Sequence, residues 1–441
     1  MKLLQLNLFD LSLKLKGFPI KKAKLALENI KALNAKDKEQ YVLNKRAKIV
    51  EYHLEHNPFY KSFVSNANAK DWNSIPVLTK RNLQQPLKNR ISKGYSEKNC
   101  QINNTSGSSG YPLSFAKDQF CHALSWSIFM DRYSWHNLDL NTSKQARFYG
   151  IPLDKISYYK ERLKDKLSNR FRFSVFDMSD KQLSKNVKLF SESNYEYLYG
   201  YSNALSLFGK YLERENIVLK DKCESLKACI ATSETLFEND KKLLEKQFGV
   251  PVINEYGCAE LGLIAFQNKK DEWLINNDDL FVEILDENNI ILPLGEQGRI
   301  VITALYNKAH PFIRYDIGDI GTLSKQSTLS KPILESLAGR TNDTLNLPSG
   351  KTAAGFTMYY VTKTVIEDAS KIKEFMLEQF KLDTFKVSYV AEEALTEAQK
   401  ATVKKALDDY LEPGLNVSFE RKDSLERTKS GKVKQFISYV K

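Results

Sequence analysis

Residues 226–260 read LKACIATSETLFENDKKLLEKQFGVPVINEYGCAE. An apolar run at 226–231 is followed by a helical pattern over 238–248 and by a second apolar run at 250–253, which ends in Asn254 to Glu260. Strand, helix, strand alternation of this kind predicts an α/β body containing parallel sheet. Working outward, residues 181–215 read as a further helical segment. From residue 281 the pattern becomes β-rich, with FVEIL, a turn around 286–289 and then GRIVITAL, a hairpin or small barrel. Beyond Pro348, Ser349 and Gly350 a new unit begins, with a helix expected at 363–380, a strand at 384–391, a helix at 395–411 and a strand at 415–420. A domain boundary therefore falls near 341–350. The fold class is α/β: a large N-terminal α/β domain with mixed parallel sheets and a small β-rich part over 1–341, and a small α+β domain over 342–441.

The chain has 441 residues, 42% apolar and 27% charged, enough to bury real cores and unlike a disordered composition. Its net charge of +12 points first to a polyanionic partner, a nucleic acid or a membrane surface. That charge is uneven, however. Residues 1–50 hold twelve lysines and arginines against four acidic residues, residues 421–441 hold seven against two, and the body between is close to neutral. No broad basic face is implied, and a nucleic-acid partner is not expected. Residues 20–65 read as helical, with Leu25, Leu27, Ile30, Leu33, Val42, Ile49 and Leu54 among many lysines, which fits a docked cationic surface helix; apposition to a membrane is the other reading. Five scattered cysteines without a C-x-x-C pair argue against a disulfide scaffold or zinc ribbon and fit a reducing compartment. His53 and His56 have i+3 spacing, not the i+4 of a metal helix, and read as a polar helix face. No stretch is long and apolar enough for an ordinary transmembrane helix. The first residues lack a signal-peptide cleavage pattern.

Five segments carry chemistry. Thr105, Ser106, Gly107, Ser108, Ser109 and Gly110, followed by Tyr111 and Pro112, combine glycines that admit an anion to backbone N–H groups with hydroxyls that donate to it. Alone, such a run is more often a flexible turn, and it is not a Walker A loop. In Asn254, Glu255, Tyr256, Gly257, Cys258, Ala259 and Glu260, a strand end meets a glycine turn and a carboxylate, suited to offering Tyr256 to a base and Glu260 to Mg²⁺. In residues 313–319, Asp319 follows a glycine and can accept from ribose hydroxyls. Arg340, on the domain boundary within 339–343, is suited to a phosphate or ribose. Near the C-terminus, residues 426–434 place Lys432 beside Gly431.

In this fixed order the segments resemble the adenylate-forming superfamily of acyl-CoA synthetases, and within it the phenylacetate-CoA ligase branch that includes CapK-like proteins of polysaccharide gene clusters. The resemblance runs from about residue 50 to the end. Residues 105–112 are similar to the superfamily's Ser/Thr/Gly phosphate loop, 256–260 to its Tyr-Gly-x-Thr-Glu motif and 314–319 to its Arg-Tyr-x-x-Gly-Asp segment. Residues 339–343 resemble the Gly-Arg-x-x-Asp hinge and 427–432 the Arg-Thr-x-Ser-Gly-Lys motif. Residues 231–234 resemble the Gly-Ala-Glu segment beside the adenine, and 198–203 the Gly-Tyr-Pro-Ser stretch. Two departures stand out: Cys258 and Ala259 replace the small residue and threonine of the Tyr-Gly motif, removing a hydroxyl, and Ser233 replaces alanine.

The resemblance implies an ATP-dependent ligase that activates a small carboxylic acid as an acyl-adenylate and passes the acyl group to coenzyme A, or to an amine such as an amino sugar. It implies ATP, Mg²⁺ and coenzyme A as cofactors. The 105–110 loop would hold the β- and γ-phosphates and Glu260 the Mg²⁺. Ser233, Glu234, Glu255, Tyr256 and Gly257 would surround the AMP moiety, with Asp319 and Arg340 on the ribose. Lys432 would bridge the acyl carboxylate and the α-phosphate. Thr341, Asn342 and Asp343 would form a hinge that makes the C-terminal domain mobile. The acyl pocket is expected around residues 145–151 and 198–203, with Phe148, Tyr149 and Tyr201, joined by Tyr199, as aromatic walls. The implied location is the cytoplasm, with the basic N-terminus available to the inner membrane surface. The competing reading is a basic membrane-surface or nucleic-acid binding protein with vestigial nucleotide motifs.

Overall fold

The helical stretch expected at 20–65 is divided by two asparagines. After α1 (Leu8–Leu15) and α2 (Ile20–Lys31), the Asn34 side chain accepts from the Asp37 N–H and starts α3 (Ala35–His56). Asn57 accepts from the Tyr60 N–H and, with Pro58 in the first helical position, starts α4 (Pro58–Phe63). These assignments come from a computed structural model that describes residues 8–65, 67–68, 71–104, 113–150, 155–175, 177–340, 345–350, 352–353, 372–426 and 436–440. The basic N-terminus is a docked helix pair: Leu13, Phe18, Ile20, Ala23 and Leu27 are buried in a core shared with Ala123, Leu124 and Ile128, while Lys14, Lys16, Lys21 and Lys22 are exposed. His53 departs from the expected polar face. It is fully buried, with Nε2 2.9 Å from the Asn307 carbonyl oxygen, and burial lowers its pKa to about 4.

A short strand, β1 (Leu78–Thr79), precedes the antiparallel pair β2 (Cys100–Asn104) and β3 (Ser114–Asp118). Asp118 then caps α5 (Gln119–Ser134): one carboxylate oxygen accepts from the Cys121 N–H and the other from the Lys308 N–H, both at 2.9 Å.

The main sheet follows. In chain order come β4 (Gln145–Phe148), α6 (Lys155–Leu167), β5 (Arg170–Phe173), α7 (Asp180–Ser191), β6 (Tyr197–Tyr201), α8 (Ser202–Arg214), α9 (Leu219–Lys222) and β7 (Ala228–Thr232). They are followed by α10 (Glu238–Phe248), β8 (Val252–Cys258), β9 (Gly262–Gln267) and β10 (Trp273–Ile275). The seven strands lie in the order β10-β9-β8-β7-β6-β4-β5, parallel from β8 to β5 and antiparallel at β9 and β10. Helix α10 has the expected bounds and stops at Gly249 in the left-handed conformation, φ 68°. The single helix expected at 181–215 is corrected. It is interrupted by β6, whose Tyr197 and Tyr199 gain backbone partners from β4 on one side and β7 on the other, and whose Tyr201 pairs with β7. Aromatic strand propensity and pairing outweigh the local helical pattern.

Each face of this sheet is covered. Phe148, Leu198 and Phe173 pack with Leu183, Phe190, Leu205, Phe208, Leu244 and Phe248 of α7, α8 and α10. On the other face Tyr197, Ala228, Ile230 and Ile253 pack with α5 and α2. The β-rich part is a five-stranded sheet from β1, β11 (Leu280–Leu285), β12 (Gln297–Ala304), β13 (Tyr315–Leu323) and β14 (Leu334–Arg340). Its order is β1-β13-β12-β11, with β14 on β13. The expected hairpin is therefore present as neighbouring β11 and β12, and the path is open, not a closed barrel.

The chain forms two compact units, Met1–Glu296 with Ile300–Ile317 and Thr322–Glu335, and Ser336–Lys441 with Gln297–Arg299 and Gly318–Gly321. The second contains β15 (Leu345–Asn346), β16 (Thr352–Ala353), β17 (Ile372–Lys381), β18 (Thr384–Ala391), α11 (Glu397–Tyr410), β19 (Asn416–Arg421) and β20 (Phe436–Ser438). A four-stranded sheet, β19-β18-β17-β20, packs Phe375, Leu377, Phe385 and Val387 against Val403 and Leu407 of α11. This is α+β, and the strand at 384–391 is as expected. The helix expected over 363–380 is corrected across 372–380, where β17 pairs with β18 and β20. As an inner strand it has Phe375, Met376, Leu377, Glu378 and Gln379 all buried, so strict alternation is absent and helix-forming residues mask the strand. Residues 354–371 lie outside the described residues.

Candidate functional site

From β4 the chain goes out to β5 and returns past β4 to β6, so strand order reverses between β4 and β6. In open α/β sheets the crevice outside the carboxyl ends of the strands at such a point is the binding position. Here those ends are lined by aromatic rings. Tyr149 stacks on Tyr199 at 5.5 Å and 14°, and its centroid is 4.1 Å from that of Tyr201. The strands approach closely because residue 200 is glycine: a Cβ there would lie 2.7 Å from the Phe148 Cβ and 2.9 Å from its carbonyl oxygen. Phe148 itself is corrected as a pocket wall. Strand alternation turns its side chain away from the face of Arg147; it is fully buried and stacks on Phe173 at 4.9 Å.

Across the same crevice, Glu255 is buried on the α5 face of β8. Its Oε2 accepts from the Tyr133 hydroxyl at 2.8 Å and its Oε1 from the Tyr199 hydroxyl at 3.0 Å, and the Thr232 side chain also bonds it. Burial raises the Glu255 pKa above the ordinary value, against the opposing pull of those three hydroxyls and Arg147. The guanidinium of Arg147 lies 4.3 Å from the Tyr149 ring centroid and 5.1 Å from that of Tyr199. Tyr133 lay outside every stretch expected from the sequence, while Arg147 and Thr232 fell within 145–151 and 231–234 without being singled out. Arg147 had a legible signal, a charge between two apolar residues of a strand. Tyr133 had none, since only folding brings it to Glu255.

The Tyr-Gly motif lies at the β8–β9 hairpin. Tyr256 is buried edge-on to Trp273, with centroids 6.1 Å apart. Pairing shifts register after Tyr256, and a Cβ on Gly257 would lie 2.6 Å from the Gly262 carbonyl oxygen, so the turn to Glu260 depends on glycine. Glu260 is half-buried, and its Oε1 is 3.4 Å from the Tyr315 hydroxyl, which joins the Tyr-Gly segment to the Arg-Tyr segment. Burial and Glu260 push the Tyr315 phenol up. Arg314 is a buried latch, not a ligand group: its Nη1 donates to the carbonyls of Trp72, Asn73 and Ile75, at 2.7 Å for Ile75. Magnesium bound through nucleotide phosphates needs one or two protein carboxylates, which fits Glu260; among the described residues no group of three or more His, Cys, Asp or Glu gathers to hold a metal.

Ser233 is exposed at φ 71°, with its Oγ 3.5 Å from the Tyr149 hydroxyl. Glu234 holds the start of α8: its Oε2 accepts from the Asn203 N–H at 3.0 Å and its carbonyl from the Ser202 hydroxyl. Asp319 is half-buried within β13, and Arg340 is the last residue of β14. Thr105, Ser106, Gly107, Ser108, Ser109 and Gly110, the hinge residues Thr341, Asn342 and Asp343, and Lys432 lie outside the described residues.

This architecture is the fold of the adenylate-forming ligases. It is similar to a crystal structure of 2-hydroxyisobutyryl-CoA ligase in the postadenylation state with R3-HIB-AMP, with a TM-score of 0.68 at 16% identity over 92% of this chain and 90% of that one. It is also similar to ATP-bound MatB from Rhodopseudomonas palustris, with a TM-score of 0.52 at 15% identity over 74% of this chain and 64% of that one. Among curated proteins the chain is similar to Protein CapK of Staphylococcus aureus, 24% identical over 311 residues, 67% of this chain and 66% of that protein. It is 28% identical to the phenylacetate-coenzyme A ligase of Aromatoleum evansii over 138 residues, 30% of this chain and 31% of that enzyme. The chain thus matches just under two thirds, and about one third, of these relatives' lengths. No protein-family model matches it. Among the described residues no helix is long and apolar enough to cross a membrane.

Proposed function

We propose that the chain is an ATP-dependent acid ligase, in which residues 1–341 form an adenylation domain and 342–441 a mobile domain that carries Lys432. The observation that carries this reading is the meeting of Glu260 with Tyr315 at the hairpin after β8, which unites two nucleotide motifs on an adenylate-forming fold. A carboxylate oxygen of the acid attacks the α-phosphorus of ATP; the new O–P bond forms as the α–β bridging bond breaks, and pyrophosphate leaves with the electron pair. Negative charge accumulates on a phosphorus already flanked by anions, so positioned cations and donors are the main catalytic device. Glu260 holds the magnesium that accompanies ATP, the 105–110 loop its β- and γ-phosphates, and Asp319 and Arg340 the ribose. Tyr256 and Gly257 face the base, and Ser233 and Glu234 edge it. Lys432 bridges the acyl carboxylate and the α-phosphate. Rotation at 340–343 then withdraws Lys432 so that a thiol or amine can take the acyl group.

Tyr149, Tyr199 and Tyr201 form the acyl-side wall, and Glu255 lies behind it instead of on the nucleotide. The acceptor is coenzyme A or, in keeping with the likeness to Protein CapK, an amino sugar in polysaccharide assembly. The protein works in the cytoplasm, its N-terminal lysines turned to the inner membrane surface. Pyrophosphate release with a panel of acids tests the first half-reaction, and mass spectrometry of products with and without coenzyme A tests the second. Acid-independent release, or none, together with steeply salt-dependent binding to DNA or anionic vesicles, favours the basic binding module instead.

A further inference from the structure

Arg147 is a guanidinium held by tyrosine faces and by no ion pair among the described residues. It lies against the rings of Tyr149 and Tyr199 at the carboxyl end of β4, half-buried, with an Nε that is buried and has no hydrogen-bond partner. Among the described residues no carboxylate pairs with it. The acidic groups nearby pair with other cations, although the second oxygen of Asp165, Oδ2, is buried without a hydrogen-bond partner. Arg170 Nε is 2.6 Å from Asp165, and Arg172 Nη2 is 3.0 Å from both Asp165 and Glu161. Lys164 also takes Glu161, at 2.6 Å. Both oxygens of Glu255 accept from tyrosine hydroxyls, and burial pushes that carboxyl toward its neutral form. Arg172 stands opposite Arg147 in the β4–β5 register and has a second buried Nε without a partner. This corner therefore carries more positive than negative charge, with donors aimed at no protein acceptor. A partly desolvated guanidinium without an anion is costly, and an unsatisfied polar group beside a binding crevice is explained by a ligand that satisfies it.

We infer that Arg147 receives a second carboxylate of the acid, distal to the one that is adenylated, and that the substrate class is a dicarboxylic acid. A guanidinium offers parallel N–H groups that match both oxygens of a carboxylate, which a hydroxyl or single carbonyl does not. The flanking tyrosine faces hold that plane from turning away. Arg147 is thus the specificity-determining residue of the acyl side. The inference rests on the ligase reading above.

The test uses the full chain and matched acid pairs: butyrate with succinate, valerate with glutarate, phenylacetate with 4-carboxyphenylacetate. Acid-dependent pyrophosphate release gives kcat and KM for each, and thermal melts with each acid alone give binding without catalysis. We expect kcat/KM for the dicarboxylates to exceed that of their partners by roughly 10²-fold, the scale for a partly desolvated charge pair. Arg147→Met raises the KM for dicarboxylates by a similar factor, with little change in kcat and none for the monocarboxylates. Arg147→Lys restores part of the loss, and circular dichroism checks that both variants fold. A wild-type preference for monocarboxylates, or an Arg147→Met loss equal for both members of a pair, overturns the inference and leaves the ligase reading intact. Dicarboxylates that raise the melting temperature of the wild type but not of Arg147→Met, with no pyrophosphate release from any acid, support the binding site while refuting the ligase reading.

Discussion

Tyr133→Phe isolates what the Glu255 cluster does. The hydroxyl of Tyr133 donates to Glu255 Oε2 at 2.8 Å inside a buried site, and removing it strips one of the donors that favour the carboxylate. Hydrogen bonds to charged groups contribute about 1.5–3 kcal/mol and neutral ones about 1 kcal/mol. The cost therefore depends on protonation. Burial holds the Glu255 pKa above 4.5, so its contribution to stability is full below its unfolded value and is lost as pH rises through the folded one. In Tyr133→Phe the folded pKa rises further, because the charged form loses more than the neutral one. The expected outcome is a destabilisation of about 1 kcal/mol at acidic pH, where the carboxyl is neutral, that grows to about 1.5–3 kcal/mol as pH rises through its folded pKa. Urea unfolding of wild type, Tyr133→Phe, Glu255→Gln and the double variant across that range closes the cycle. A loss independent of pH, or one of the same size in the Glu255→Gln background, refutes the reasoning.

Three further outcomes are expected. Lys432→Ala lowers acyl-adenylate formation by roughly 10²- to 10³-fold while thioester formation from supplied acyl-AMP largely survives; an equal fall in both steps would count against domain alternation. Asp279, buried beside Asn276 and Asp278, is pushed up to about 7 chiefly by burial, so stability falls as pH rises from its ordinary value of 3.8 through 7. Asp279→Asn flattens that slope, worth on the order of 2–4 kcal/mol, as read by unfolding at pH 5 and pH 8. Gly257→Ala forces a Cβ to 2.6 Å from the Gly262 carbonyl oxygen and is expected to cost about 1–3 kcal/mol and to raise the KM for Mg-ATP, measured by melting and by pyrophosphate release.

The sequence by itself determined the α/β class, the limits of α10, the strands around 226–253 and 384–391, and the order of the nucleotide motifs. These are local properties: a 3.6-residue period, a glycine that stops a helix, a turn after an apolar run. It also named Phe148 alongside Tyr149 and Tyr201, because which aromatic rings are fully enclosed depends on the helices that cover each side of the sheet. Only the tertiary structure decided that residues 197–201 pair between β4 and β7, and that β17 is an inner strand, since both rest on partners distant in sequence. It likewise sent His53 inward, made Arg314 a latch on residues 72–75, and enclosed Glu255 between Tyr133 and Tyr199, 122 and 56 residues away. Whether a charged side chain is a solvated surface group, a structural tie or an unclaimed donor is set by what surrounds it. For Arg147 those surroundings, two tyrosine faces and acids already taken by other arginines, exist only in the folded chain.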